Sequence, residues 1–386
     1  MNDSIDPVQA RLQSIDSATL TPIIRKVLND EALTITEWSS TSVHGGVGGG
    51  AGGTAVYRYS GTAVSAGAST PWSVILKVTS ARPDEKSDST HYWKREAEFY
   101  RAGLDVDVPG RFRPVHGYGV TEFPDEACWI WQEDVTGAIP GPWSIAEYTA
   151  HARNIGLFNA QYLNGRPAPQ APWMSNGWLR QIADATVPHV PKILDNLNLP
   201  HVREIFPADS IEQFWRLWNA RESLLSTLDR LPQTLCHQDP VRRNLFLRPA
   251  DDGYETIAID WAYVGHAAIG VDIAVPLIID PLFMEIDVML ARDLCEALFE
   301  GYLNGLRDGG WRGDTRRVRL AYLASASCKY IEVYMLGAAF NLYDLNMADI
   351  YPEMTGHTME ENMAVNAQFF RFMTTVVDEA LDLHDI

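Results

Sequence analysis

The sequence predicts an α+β protein of two lobes, a small antiparallel-sheet lobe over residues 1–134 followed by a larger, mainly helical lobe over 135–386. Three observations carry this expectation. Glycine-punctuated β-branched and aromatic segments crowd the first 130 residues. Helix-capping patterns and apolar stripes dominate the rest of the chain. The 386 residues also exceed what one ordinary core accommodates.

After a short leading helix, "LTITEWSSTSV" (33–43) and "TAVYRYSG" (54–61) flank the glycine tract "HGGVGGGAGG", and "WSVILKVTS" (72–80) follows a Gly/Ala/Ser loop. This reads as strand, turn, strand, loop, strand. "HYWKREAEFYRAGL" then places Trp93, Ala97 and Tyr100 at helical spacing, and a last strand, "ACWIWQEDV", closes the lobe. Beyond a junction near 133–142, "SIAEYTAHARNIGLFNAQYL" and "SIEQFWRLWNARESLLSTLDRL" open with Ser144/Glu147 and Ser210/Gln213, the spacing of a capping box. In the second, Ile211, Phe214, Trp215, Trp218, Leu225 and Leu228 form one apolar stripe. Two further helices are predicted over 318–345 and 359–383.

Composition narrows the function. Apolar residues at 46% argue for folded cores, and the formal charge of −19 makes nucleic acids and anionic membranes poor partners. "MNDSIDPVQARLQSID" lacks the pattern of a secretory signal. The most apolar run, "IGVDIAVPLIIDPLF", is broken by Asp272, Asp280 and two prolines, so it should not span a bilayer. Cysteines 128, 236, 295 and 328 show no C-x-x-C spacing and read as buried thiols in a reducing cytoplasm.

The chemistry concentrates in three places. The glycine tract, with Gly48, Gly49 and Gly50 at its centre, has no G-K-[ST] and runs into a strand rather than a helix. It can form a hairpin whose N–H groups approach phosphates, or simply a flexible surface loop. Lys77 sits among four apolar neighbours in "VILKV", an odd place for an ammonium unless it meets a phosphate or carboxylate. Glu96 on the following helix could pair with it, with Glu98 as competitor and a snorkelling lysine beside a solvated glutamate as the plain alternative. Finally, "TLCHQDPVRRNLFLRP" sets Asp239 and Asn244 five apart, and the apolar strand "TIAID" ends in Asp260. Phosphoryl transfer needs a carboxylate to orient the attacking hydroxyl and oxygen ligands for Mg²⁺. Asp239 suits the first task, Asn244 with Asp260 the second.

"CHQDPVRRNLF" followed by "IAIDW" resembles the catalytic segment of the aminoglycoside phosphotransferase and choline kinase-like family, small-molecule kinases with a protein-kinase-like fold. The resemblance implies an N-terminal nucleotide-binding lobe and a C-terminal lobe holding catalytic loop, metal site and acceptor pocket. It implies Asp239 as catalytic base, Asn244 and Asp260 as Mg²⁺ ligands, Lys77 as phosphate anchor and Glu96 as its partner. The backbone of Gln132, Glu133 and Val135 would meet the adenine, and His237 would shape the loop. The expected reaction carries the γ-phosphate of ATP or GTP to a hydroxyl of a small, cationic or sugar-like acceptor. A non-catalytic nucleotide-binding scaffold and a protein kinase are the alternatives, and a hydrolase using Asp239 a more distant one.

The departures are specific. Gln238 stands where the family usually has a small residue. Asp260 is followed by Trp-Ala, and no A-P-E segment comes after it, which favours a small-molecule acceptor. Asp272 reads as a structural cap of the helix after it. Tyr330, Tyr334, Tyr343, Asp344 and Glu353 suggest an acidic, aromatic pocket for a cationic amine, or else a solvated acidic surface. His266 is either a cleft residue or a satisfied loop histidine.

Overall fold

The computed structural model describes residues 7–43, 54–82, 85–135, 138, 141–206, 208–339, 352 and 355–384. The chain divides into two compact units, 1–108 with 114–137 and 109–113 with 138–386.

The first unit opens with helices α1 (Pro7–Gln13) and α2 (Ser17–Leu28); Asp16 caps α2 by accepting the Thr19 N–H at 2.8 Å. Strands β1 (Thr34–Val43), β2 (Thr54–Ser65) and β3 (Ala68–Ser80) follow, then α3 (Arg95–Arg101). β4 (Phe112–Pro114) pairs outside this unit's sheet, whereas β5 (Gly117–Phe123) and β6 (Ala127–Gln132) complete it. The antiparallel sheet has the order β1-β2-β3-β6-β5. Period-2 alternation sends Trp72, Val74, Leu76 and Val78 of β3 into a core with Tyr59, Trp129, Trp131 and α2's Leu20 and Ile24. Lys77, between Leu76 and Val78, therefore projects from the other face.

Two sequence expectations change here. The supposed Gly/Ala/Ser loop between 61 and 72 is a continuation of the β2–β3 hairpin, closed by Ala66 and Gly67 at φ 49° and 81°. This is the two-residue turn that suits the strands' twist. Small residues masked strands that pairing enforces. The helix expected over 91–104 shortens to Arg95–Arg101, and β5, hidden by Gly117 and Gly119, has no counterpart among the expected strands.

The second unit is mainly helical. α4 (Ile145–Leu163) carries the expected capping box of Ser144 and Glu147. β7 (Ser175–Asn176), α5 (Trp178–Thr186), α6 (Val190–Asn196), α7 (Pro200–Ile205) and α8 (Ala208–Arg230) lead into β8 (Gln233–Cys236), β9 (Leu245–Ala250), β10 (Gly253–Ala258) and β11 (Gly265–Ala268). α9 (Val271–Leu282), α10 (Ala291–Asp308), α11 (Thr315–Ala339) and α12 (Met359–His384) complete it. α8 already begins at Ala208, and the side chain of Ser210, the expected cap, lies outside the described residues. The strands form two small sheets, β4-β10-β9 and β7-β11-β8. Two buried amides of α4 anchor them: Asn159 Nδ2 donates to the Leu235 carbonyl at 2.9 Å, and Asn154 Nδ2 to the Tyr254 carbonyl at 2.8 Å. α4 and α10 touch backbone to backbone, since a Cβ on Gly305 would stand 2.0 Å from the Arg153 carbonyl oxygen. Among the described residues no helix is long and apolar enough to cross a membrane.

Candidate active site

In the first unit, Lys77 Nζ lies 2.5 Å from Glu96 Oε2, with the side chains 9% and 1% exposed. Glu98 instead pairs with Arg101 at 3.0 Å. The other Glu96 oxygen accepts from Gln132 Nε2 at 3.0 Å, and the same nitrogen reaches the Tyr100 hydroxyl at 3.0 Å. Gln132 thus contributes a side chain that clamps Glu96, a role that no spacing in the sequence signals. The Glu133 N–H donates to the His116 carbonyl at 2.8 Å. The backbone of Val135 makes no hydrogen bond among the described residues. Gly48, Gly49 and Gly50 lie outside the described residues.

In the second unit, β8 delivers the loop His237-Gln238-Asp239, and Gln238 sits in the left-handed region at φ 69°. The sharp turn strands two backbone N–H groups, which α9 supplies with acceptors. Asp272 takes the His237 N–H on Oδ2 at 3.0 Å and the Gln238 N–H on Oδ1 at 2.8 Å. It does not cap α9, whose N-cap is Gly270, because both its oxygens are committed to the loop. Asp280, on the same helix, accepts the Arg242 N–H at 3.0 Å and the Tyr148 hydroxyl at 3.0 Å. Burial pushes the carboxyl of Asp272 up to about 6 and that of Asp280 up to about 7, against the pull of those donors. His237 Nδ1 accepts the Asp239 N–H at 3.2 Å, which leaves Nε2–H to donate to the Ile259 carbonyl at 2.9 Å.

Asn244 Nδ2 donates to the Asp239 carbonyl at 3.0 Å and to Asp239 Oδ2 at 3.1 Å. The amide therefore fixes the carboxylate and leaves its own Oδ1 as a ligand atom. Asn244 and Asp260 come together because Leu245 pairs with Ala258 in the β9–β10 ladder and the Ile259 N–H reaches the Asn244 carbonyl at 2.9 Å. Asp260 itself is left-handed, at φ 62°. Burial pushes Asp239 up to about 7; the Lys329 cation and the Asn244 amide oppose this, and the Asp260 and Glu332 carboxylates add to it. Asp239 keeps partial solvent access, and the Lys329 cation favours its ionised form. Among the described residues no group of three or more His, Cys, Asp or Glu could enclose a metal. One carboxylate and one amide oxygen are instead the donors that suit Mg²⁺, which keeps waters and phosphate oxygens as its other ligands.

The supposed acceptor aromatics lie elsewhere. Tyr330 and Tyr334 are fully buried in a core with Phe206, Phe214 and Phe370, Tyr334 stacking on Phe214 at 4.2 Å. Tyr343, Asp344 and Glu353 lie outside the described residues. The α11 groups whose charge acts on Asp239 are Lys329 and Glu332, paired at 2.5 Å, with Lys329 Nζ 4.6 Å above the Trp178 ring. His266 lies on β11 rather than in a loop, and its Nε2 bonds the Pro169 carbonyl at 2.8 Å.

A family described as phosphotransferase enzymes matches residues 58–313. Among solved structures, a microcompartment-associated aminopropanol kinase is similar at 13% identity and TM-score 0.51, covering 94% of this chain and 98% of its own. Choline kinase from Cryptosporidium parvum is similar at 13% identity and TM-score 0.50, covering 95% and 97%. A spectinomycin phosphotransferase solved with ADP and spectinomycin shares 13% identity at TM-score 0.48, covering 97% and 100%. No curated protein matches in sequence. At these identities the structural likeness concerns the fold, the two-lobe α+β architecture with its antiparallel N-terminal sheet and helical C-terminal part.

Proposed function

Because the chain belongs to the phosphotransferase enzyme family and is a small-molecule kinase acting on a hydroxyl, we propose that it carries the γ-phosphate of ATP or GTP to a small acceptor with Asp239 as the catalytic base. The observation that carries this reading is the bond from Asn244 Nδ2 to Asp239 Oδ2 at 3.1 Å. It orients one carboxylate oxygen and leaves Oδ1 to accept the hydrogen bond of an acceptor hydroxyl. That hydroxyl oxygen attacks the γ-phosphorus in line, its proton passes to Asp239, and the nucleoside diphosphate leaves. No phospho-enzyme forms.

Asn244 and Asp260 are the proposed Mg²⁺ ligands, and Mg²⁺ when bound neutralises charge on the phosphates. Lys77, held by Glu96, would pair with phosphate oxygens of the nucleotide. Residues 1–134 form the proposed nucleotide-binding lobe, with the backbone of Gly48–Gly50 toward the phosphates and the backbone of Gln132, Glu133 and Val135 toward the adenine. Residues 135–386 carry the loop, the metal ligands and the acceptor pocket. The four cysteines are all free and buried, in keeping with action in a reducing cytoplasm.

The deciding experiment is thermal unfolding with ATP or GTP, each with and without Mg²⁺, on wild type and Asp260→Ala. A midpoint raised by one nucleotide only with Mg²⁺, and not in the variant, is the expected result and identifies the donor. No shift with either nucleotide overturns the proposed metal–nucleotide site and turns the reading toward a scaffold that keeps the motif as a relic. Phosphate release without acceptor would mark a hydrolase, and labelling of added protein a protein kinase.

A further inference from the structure

We propose that a cavity of about 50 Å³ beside the catalytic loop is a subsite for an uncharged arm of the acceptor that offers a hydrogen-bond donor and acceptor together, as a carboxamide does, and that Gln238 reads it. This rests on the reading of Asp239 given above.

Gln238 is 1% exposed, and neither Nε2 nor Oε1 of its amide has a hydrogen-bond partner among the described residues. Burying such a group unpaired is costly, and a left-handed non-glycine backbone adds strain. Both penalties fall on the residue that adjoins Asp239. A strained, unsatisfied group at that position points to a ligand that satisfies it.

Arg180, Asp229 and Gln233, polar walls of the same cavity, are already committed. Arg180 bridges Glu222 at 2.8 Å and Asp229 at 2.7 Å, and Gln233 Nε2 donates to the Leu228 and Leu231 carbonyls. Arg180 is thereby committed to two carboxylates, and the open partner is a neutral amide, which pairs with a ligand group that both donates and accepts. β11 packs closely against the loop: a Cβ on Gly265 would stand 2.0 Å from the Ser175 carbonyl oxygen and 2.7 Å from Gln238 Nε2. Trp178 forms another wall, with the ring of Tyr263, from the turn after Asp260, at 5.9 Å from it. The space suits about three waters or one substituent of similar size.

The test is ligand-observed NMR of lactamide on the full chain, with 1-aminopropan-2-ol as the charged counterpart on the same skeleton. Wild type should bind lactamide in preference to the amine, and Gln238→Met should weaken lactamide at least tenfold while melting higher than wild type without ligand. Should that variant fail to fold, Ala267→Leu, which fills the cavity from β11 and leaves the loop intact, should block lactamide instead. With Mn²⁺ and ADP present, the bound lactamide signals should broaden, because the arm sits near the metal ligands. Absent or amine-preferring binding to wild type, equal lactamide binding to the variants, a lower melting point for folded Gln238→Met, or no broadening while Mn²⁺ and ADP are bound would each overturn the proposal. Lactamide binding is measured without nucleotide first, so a chain that binds lactamide but no nucleotide would overturn the metal–nucleotide site alone.

Discussion

Removing one member of the Lys77–Glu96 pair should cost far more than removing both. The two charges meet at 2.5 Å with side chains 9% and 1% exposed, so neither has water to fall back on. Glu96→Leu leaves a buried ammonium, and Lys77→Met leaves a buried carboxylate without its cation. Each single change is expected to destabilise the first unit by about 3–5 kcal/mol. The double variant removes both charges and should lie within about 2 kcal/mol of wild type, since apolar residues of similar volume replace buried ion pairs at little cost. Two singles of at least ~3 kcal/mol and a double of at most ~2 give a coupling of at least ~4 kcal/mol. Urea unfolding, with hydrogen exchange of β3 and α3 amides to localise the effect, measures it. The double variant should fold and yet lose turnover by orders of magnitude. Single variants that each cost under ~1 kcal/mol and add would refute the argument, because the pair would then be behaving as a solvated one.

The second unit supports three further expectations. Asp239→Asn should keep the fold and lower kcat by at least about a hundredfold, read by coupled assay of nucleoside diphosphate release; near-normal turnover would remove Asp239 from the mechanism. Asp272→Ala should leave the His237 and Gln238 N–H groups without acceptors, at about 1–3 kcal/mol each; an unchanged denaturation midpoint would show that the loop holds itself. His151, fully buried between Phe112 and Trp143, has its pKa pushed down to about 3 by burial, with His237 adding to the effect. The unfolded chain then takes a proton below about pH 6.5 that the folded chain refuses, so this residue's contribution to stability falls as pH drops from 6.5 toward 3. From pH 7.5 to pH 5, His151→Phe should gain about 2 kcal/mol on wild type, and a pH-independent difference would contradict a neutral buried imidazole.

The sequence by itself determined the parts whose physics is local. The five-residue spacing of Asp239 and Asn244, the capping box of Ser144 and Glu147, and the alternation around Lys77 all arise from chain geometry within a few bonds. So did the two-lobe α+β architecture, because periodicity of 2 and of 3.6 is written along the chain. Partnerships across long separations needed the tertiary structure. Glu96 rather than Glu98 meets Lys77, Gln132 clamps that glutamate, and Asp272 and Asp280 reach back over more than thirty residues to the catalytic loop. Tyr330 and Tyr334, candidates for an acceptor pocket, became core instead. β5 formed despite its glycines because β6 offered a ladder. A turn's unpaired N–H groups require acceptors but do not say from where, and a buried charge requires a partner without naming it. Only the packed chain decides which of several chemically equivalent groups arrives.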